Sequence, residues 1–211
     1  MTQASAGSEI GRPLSPYAKV RVRDQERRAY LVGVARDLSL RTGTAFTVQD
    51  VLDDAGLSLK SFYRHFGSKD ELLLAVFREH VVSGAADVER SVRRQLDARG
   101  ALDQFVRTYV RLADHPAGRV VFEEHERLAQ VAPEIVADAI RPFVDLLEQV
   151  GATLDDPVLG GALTRRDAVV LYNVLVSCVR ARVFALVPVD APLDADEIWR
   201  VVRGYLGARD R

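Results

Sequence analysis

The stretch that decides the fold is TVQDVLDDAGLSLKSFYRHFGSKDEL, residues 47–72. Within it, Val48, Val51 and Leu52 recur at the spacing of one helical face, which predicts a short helix. Thr47 carries a hydroxyl that can cap this helix where it begins. Gly56 ends the helix, because glycine adopts the positive φ of a sharp turn without a steric cost.

A second short helix is predicted directly after this turn. Ser58 is a suitable N-cap, and Gly67 ends the segment. The inward face of this helix is expected to carry Leu59, Phe62, Tyr63 and Phe66. Ser68 and Glu71 then have the spacing of a capping box in front of a third, longer helix. Two short helices around a glycine turn are typical of a helix-turn-helix.

Composition places the chain among ordinary globular proteins. It has 211 residues, of which 48% are hydrophobic and 28% are charged. No run of about 18 apolar residues occurs, so no membrane-spanning helix is predicted. A single cysteine, Cys178, cannot form an internal disulfide, which fits a reducing compartment. We therefore expect a cytoplasmic protein with no membrane partner.

Charge is distributed unevenly along the chain, although the net charge is only -1. Residues 1–70 hold 11 Lys/Arg and 8 Asp/Glu, a net of +3, and the remainder holds 18 and 22, a net of -4. A basic end on an acidic body indicates that this end meets an anionic partner. The expected organisation is a disordered basic tail over 1–20, a helix-turn-helix domain over 21–68 and a second helical domain over 69–211.

The whole chain is predicted to be all-α, with about nine helices. Besides the short pair, the expected helices are 24–42, 69–96 with a bend near Gly84, 103–113, 116–131, 133–151 with a kink or break at Pro142, 164–187 and 194–206. No strand-like alternation and no internal repeat interrupts this pattern.

The last two predicted helices indicate an interface between subunits. Residues 168–187 are apolar almost all round, so this helix should be buried on more than one side. A partner subunit is one explanation, and a helix wholly inside one core is the other. The residues expected at a dimer interface are Val170, Val174, Arg182, Ile198, Trp199, Val202 and Tyr205.

The stretch 47–72 resembles the DNA-binding domain of the tetracycline-repressor (TetR) family. The resemblance rests on Thr47-Val48, Ala55-Gly56-Leu57-Ser58, Phe62-Tyr63-Arg64-His65-Phe66 and Gly67-Ser68-Lys69-Asp70-Glu71-Leu72. It covers about a fifth of the chain. Two features depart from the family's pattern. Leu52 stands where the family usually has alanine, and Asp53-Asp54 place two negative charges behind the recognition helix.

The resemblance implies a homodimeric regulator, most simply a repressor, that binds double-stranded DNA at a palindromic operator. The residues expected at DNA are Thr47, Ser58, Lys60, Ser61, Tyr63, Arg64, His65 and Lys69. Among these, Lys60 and Ser61 are candidates for base edges. Tyr63 and His65 resemble the family's phosphate clamps, and Thr47 and Lys69 lie at predicted helix N-termini, which attract phosphates.

Family members bind a small molecule in the second domain, and we expect a hydrophobic or amphipathic effector here. The candidate pocket residues are Phe77, Phe105, Tyr109, Phe122, His125, Phe143, Leu147, Tyr172 and Cys178. No metal-ligand spacing and no phosphate-binding glycine loop is present, so neither a metal nor a cofactor is expected. Two alternatives remain open: a helical protein-interaction module, and a small all-α enzyme with an apolar pocket.

Overall fold

The computed structural model describes residues 16–186 and 192–208 of the protein. Within these residues nine α-helices follow one another, and the only strand-like feature is an isolated bridge between Asp156 and Gly160. The helices are α1 Pro16–Thr42, α2 Val48–Ala55, α3 Leu59–His65, α4 Lys69–Val92, α5 Ala98–Asp114, α6 Pro116–Val131, α7 Pro133–Gly151, α8 Arg165–Phe184 and α9 Ala195–Ala208. The all-α prediction is confirmed.

Several helix boundaries differ from the predicted ones. Helix α1 begins at Pro16, so residues 16–20 of the expected disordered tail are helical, while residues 1–15 lie outside the described part. Helix α5 begins at Ala98 because the Asp97 carboxylate accepts a hydrogen bond from the Gly100 amide at 2.6 Å. Helix α4 correspondingly ends at Val92.

Of the predicted kink or break at Pro142, the break is wrong, because α7 runs through this residue from Pro133 to Gly151, and the kink stays a prediction. A proline removes one backbone donor, and the remaining turns of a long helix can hold their geometry on either side. Helix α8 ends earlier than predicted, at Phe184, where Ala185 takes a left-handed conformation with φ 49°.

Two hydrophobic cores organise the helices. The first core is built by α1, α2, α3 and the beginning of α4, and it runs from Leu31 to Val76. The second core is built by the rest of α4 and by α5 to α9. Helix α4 therefore belongs to both cores: Leu72, Leu73 and Val76 pack into the first, and the helix from Phe77 onward packs into the second.

None of the described helices is both long enough and apolar enough to cross a membrane.

Candidate nucleic-acid interface and ligand cavity

Local hydrogen bonds fix the turn between α2 and α3. The Thr47 hydroxyl accepts a hydrogen bond from the Asp50 amide at 3.2 Å, and the Asp50 carboxylate accepts one from the Thr47 amide at 2.7 Å. The Thr47 amide and the Thr47 hydroxyl both donate to the Asp50 carboxylate and thereby lower its pKa. At the other end, Gly56 takes the left-handed conformation with φ 62°, where a side chain would be strained. The turn therefore has one conformation, which sets the direction of α3.

Two phenylalanines hold α3 against the first core. Phe62 is 0% exposed and Phe66 is 1% exposed, and their ring centroids lie 5.9 Å apart. The prediction that Leu59 and Tyr63 also face inward is wrong, because they are 52% and 56% exposed. Helix α3 has fewer than two full turns of contact with the core, so two large rings suffice to cover its inner side.

The opposite side of α3 carries Lys60, Tyr63 and Arg64, which we call the recognition face. All three side chains are exposed. Positions 60, 63 and 64 share one face of a helix because they are spaced by three and four. This face can donate to phosphate oxygens and base edges, since it combines two cations with a phenol. Ser58 caps α3 by accepting from the Ser61 amide at 3.3 Å.

Three of the residues expected at DNA have polar side-chain atoms that are either hydrogen-bonded within the protein or buried in it. The Thr47 hydroxyl both donates to and accepts from Asp50. The Lys69 ammonium donates to the Thr44 carbonyl at 2.6 Å and lies over the Phe46 ring, 4.8 Å from its centroid. The Nε2 atom of His65 is buried, without a hydrogen-bond partner among the described residues. This nitrogen therefore cannot reach a phosphate in the observed conformation.

The two departures from the family pattern are accommodated locally. Leu52 is 4% exposed and packs into the first core. Asp54 forms an ion pair with Arg41 of α1, and Asp53 accepts from the Gln49 amide group at 2.7 Å within α2. The Arg41 cation offsets the charge of Asp54 and so reduces its repulsion of an approaching phosphate backbone, whereas the partner of Asp53 is a neutral amide.

The second core borders a partly open cavity of about 250 Å³ between α4, α5, α6, α7 and α8. Six of the nine predicted pocket residues line it: Phe77, Tyr109, Phe122, His125, Phe143 and Tyr172. Three predicted pocket residues do not. Phe105 and Leu147 pack in the interior at 0% and 2% exposure, and Cys178 is half-buried away from the lining.

The polar groups of the cavity come from several helices. The hydroxyls of Tyr109 and Tyr172 lie 3.1 Å apart, and burial raises the pKa of Tyr109 to about 12. Burial also raises the pKa of Tyr172 well above its ordinary value. Burial lowers the pKa of His80 and of His125, so both imidazoles are mostly neutral at pH 7.

Sequence reasoning missed part of this lining because it searched for apolar side chains. His80, Ser83 and Asp87 of α4 line the cavity together with His115, which precedes α6. Their positions 80, 83 and 87 follow helical spacing on one side of α4, a signal that could have identified them. Gly84 lies on the same side, and its lack of a side chain lets Leu112 and Phe143 approach α4 closely, since a Cβ here would lie 3.3 Å from Leu112.

The predicted dimer residues separate into two groups. Ile198 and Val202 are 0% exposed and Trp199 is 9% exposed, so their placement at a subunit surface is wrong. They pack into the second core instead, because α9 contacts both α5 and α8. Arg182 is also engaged internally, donating to the Asp114 carboxylate at 2.7 and 3.0 Å.

The remaining predicted dimer residues lie nearer the surface. Val170 is 37% exposed and Val174 is half-buried, both on α8. The Tyr205 hydroxyl on α9 lies 3.5 Å from an Asp167 carboxylate oxygen. Helix α8 is therefore covered by the second core on one side only, despite its apolar sequence.

Residues 31–76 match the family model described as bacterial regulatory proteins of the tetR family. This match coincides with the first core, which also runs from Leu31 to Val76. This segment therefore belongs to the TetR family. Its recognition face and its capped glycine turn both lie inside the matched segment.

One curated relative is the HTH-type transcriptional activator FasR of Mycolicibacterium smegmatis. It is 32% identical over 127 residues, which cover 56% of this chain and 58% of the relative. The match therefore spans a little over half the length of that relative. FasR is named as a transcriptional activator rather than as an enzyme.

Solved structures share the fold over most of the chain. A TetR-family regulator from Streptomyces coelicolor has a TM-score of 0.61 and 19% identity, covering 94% of this chain and 96% of its own. The regulator FadR from Bacillus subtilis, solved in complex with stearoyl-CoA, has a TM-score of 0.66 and 13% identity, covering 84% of this chain and 98% of its own. Both likenesses extend the TetR-family fold from the matched segment to the second core.

Proposed function

We propose that this TetR-family protein is a cytoplasmic, homodimeric transcriptional regulator that binds a palindromic operator and responds to a small hydrophobic or amphipathic effector. The observation that carries the proposal is the recognition face. Lys60, Tyr63 and Arg64 are exposed on a helix that Phe62 and Phe66 hold in a fixed direction. A helix of this size fits the major groove of double-stranded DNA.

Each side chain of α3 has a distinct role in this proposal. Lys60 and Ser61, near the start of the helix, contact base edges, where lysine favours the guanine acceptors. Tyr63 and Arg64 donate to phosphates on either side of the groove. Leu59, which is 52% exposed, joins the DNA-facing side and can contact a thymine methyl group. Lys69 and Thr47 act as positioning residues, because their polar groups already stabilise the turn.

The proposed DNA contact is tested on a fragment of the DNA upstream of the protein's own gene. Affinity should fall steeply as salt increases, because lysine and arginine displace counterions from phosphates. Lys60→Ala combined with Tyr63→Ala should abolish specific binding and leave the protein folded. Arg94→Ala, an exposed cation between α4 and α5, is the matched control and should bind normally. Wild-type affinity in the double variant would show that α3 does not read this DNA.

A dimer is part of the proposal because one α3 offers too few contacts for specific binding. A single reading module buries only about 600–1,000 Å² at DNA, so two copies on half-sites about one helical turn apart are needed. The proposed contact surface is the exposed apolar side of α8 and α9, where Val169, Val170 and Val201 are 41%, 37% and 46% exposed. The interior residues Ile198, Trp199 and Val202 support this surface from behind.

Sedimentation measures the oligomeric state and so tests the proposed dimer. Val170→Glu combined with Val201→Glu should shift the protein to a monomer and lower its operator affinity, because two charges would be buried without partners. Val131→Glu, at a surface position that is 66% exposed on α6, should leave the dimer unchanged. A dimer that persists in the double variant would place the subunit contact elsewhere.

Helix α6 is the proposed link between effector and DNA. Phe122 and His125 line the cavity on one side of α6. The next turn holds Glu124 and Arg127, and Arg127 lies 3.7 Å from Asp70 at the beginning of α4. An effector that prefers one position of α6 would therefore shift α4 and the recognition face attached to it.

We propose that the protein represses transcription and that binding of the effector releases this repression. The name of the relative FasR favours activation as the second candidate. In vitro transcription from the upstream fragment distinguishes the two, because a repressor lowers the transcript level and an activator raises it. The stearoyl-CoA bound to B. subtilis FadR supports a hydrophobic effector for this fold.

A further inference from the structure

The deepest polar feature of the cavity is the pair of phenols Tyr109 and Tyr172, which we call the phenol pair. Their hydroxyls lie 3.1 Å apart, and Phe143 packs against both rings with centroid distances of 5.3 and 5.8 Å. In such a pair, only one of the two hydroxyl protons lies in the hydrogen bond between the two oxygens. Among the described residues neither hydroxyl has a second partner. One proton is therefore available to a ligand.

The hydroxyl that carries this available proton is buried, so leaving it without an acceptor costs free energy. Tyr172 is 3% exposed, and Tyr109 is enclosed so that its remaining surface faces the cavity. A buried donor without an acceptor loses its hydration without compensation. The raised pKa of both phenols keeps them protonated at neutral pH, so the pair donates rather than acting as an anion. An oxygen acceptor on a ligand would satisfy it.

The lining of the cavity has no permanent positive charge to receive an anion. It contains neither lysine nor arginine among the described residues. The only carboxylate in the lining is Asp87, which pairs with Arg90 outside the cavity. His80 and His125 are mostly neutral at pH 7 because burial lowers their pKa. A carboxylate or phosphate group inside would be desolvated without a counter-charge, which is strongly unfavourable.

The volume limits the ligand further. A cavity of about 250 Å³ lies just below the usual range of drug-sized sites. At about 30 Å³ for each non-hydrogen atom, the share of volume that a water molecule occupies in the liquid, it corresponds to a ligand on the order of ten such atoms. Coenzyme A exceeds this size, so its phosphates would lie at or outside the opening of the cavity, where no lysine or arginine of the lining can pair them.

We propose that the cavity selects a compact, uncharged and mostly apolar ligand whose carbonyl oxygen accepts the available proton of the phenol pair, and that it discriminates against free carboxylates and acyl-CoA thioesters. Esters, lactones, ketones and amides share this chemistry. The inference rests on the proposed function only in assuming that the cavity is the effector site. It distinguishes this chain from the stearoyl-CoA-bound FadR, whose fold it shares.

Calorimetry with three compounds that share one acyl chain tests the selectivity: methyl octanoate, octanoate and octanoyl-CoA. The full-length protein should bind methyl octanoate at least tenfold more tightly than either charged compound. Tyr109→Phe combined with Tyr172→Phe keeps the ring volume and should weaken the ester five- to tenfold, the usual loss for one hydrogen bond. The single variant Tyr172→Phe should weaken it less, because the Tyr109 hydroxyl can still donate.

Tyr205→Phe is the matched control, because it removes a phenol of the same domain that does not line the cavity. It should bind the ester like the wild type. The proposal is overturned if octanoate or octanoyl-CoA binds as tightly as the ester, if the double variant binds the ester unchanged, or if none of the three compounds binds. If the ester binds as expected but leaves operator affinity unchanged, the selectivity stands and the proposed effector response fails.

Discussion

The two cores of this protein solve different packing problems with one shared helix. In the first core, Phe62, Leu31 and Leu72 are each 0% exposed, and four short segments close around them. In the second core, α4 continues with Phe77, His80 and Gly84 along the wall of a cavity of about 250 Å³. A close-packed interior holds one arrangement, whereas an interior with a void can be stabilised by a molecule that fills it. We therefore expect the first core to be rigid and the second core to respond to a bound molecule.

The two regions also differ in whether their positive charges are exposed or held in ion pairs. On the recognition face, the cations of Lys60 and Arg64 are presented to solvent. In the second core, arginines connect helices instead: Arg107 pairs with Asp196 of α9, and Arg182 pairs with Asp114 of α5. Positive charge is thus available to a nucleic acid at one end of the molecule and is largely neutralised at the other.

The largest expected change in the free energy of unfolding distinguishes a substitution in the close-packed first core from one beside the cavity of the second core. Phe62→Ala should lower the free energy of unfolding by about 3–5 kcal/mol, because it leaves a void in a close-packed interior. Phe143→Ala should cost less, because that ring already borders the cavity and loses fewer contacts. Urea denaturation followed by circular dichroism measures both. Leu59→Ala, exposed on the same helix as Phe62, should change stability by no more than about 0.5 kcal/mol. An equal or larger loss in Phe143→Ala would contradict the distinction.

The second-largest expected loss of stability comes from the contact between α6 and α4, which links the two cores. Glu124 is 3% exposed and accepts from the Arg127 guanidinium at 2.7 and 2.9 Å. Arg127→Met should destabilise the protein by about 2–3 kcal/mol, because it leaves a buried carboxylate without its donor. Asp70→Asn removes only the exposed member of the contact and should cost about 0.5 kcal/mol or less. Similar losses in the two variants would mean that the stabilising contact is the link to α4 rather than the Glu124 pair.

The smallest effect is a pH dependence that belongs to the hollow core. Burial lowers the pKa of His80 and His125 below the value of 6.5 for a free histidine. As pH falls below 6.5, the unfolded chain binds protons that the folded chain does not, so stability should decrease. The lowered pKa values of Asp50 and Asp156 act only below 3.8, a separate range. Thermal denaturation between about pH 7.5 and about pH 5.5 measures the slope.

The variants His80→Gln and His125→Gln should each flatten this slope. An unchanged slope in both variants would assign the pH dependence to groups outside the cavity.

The first core could be predicted in detail because its determinants are local. Thr47, Gly56 and Ser58 act on backbone groups within four residues, so their positions in the sequence identify the ends of α2 and α3. The error at Leu59 arose because two phenylalanines suffice to cover the inner side of a seven-residue helix. Six of nine pocket residues were likewise identified, since aromatic residues at helical spacing tend to face the interior.

The sequence by itself determined the helical class and the helix-turn-helix, because capping, turns and helical periodicity depend on near neighbours. Only the tertiary structure decided which apolar faces are covered. Ile198 and Val202 have the pattern of a subunit surface, yet they are buried against α5 and α8 of the same chain. The phenol pair joins residues 63 positions apart, and Lys69 reaches back 25 positions to Thr44. Contacts at such separations depend on how the helices pack, and the spacing of residues along the chain carries no record of that.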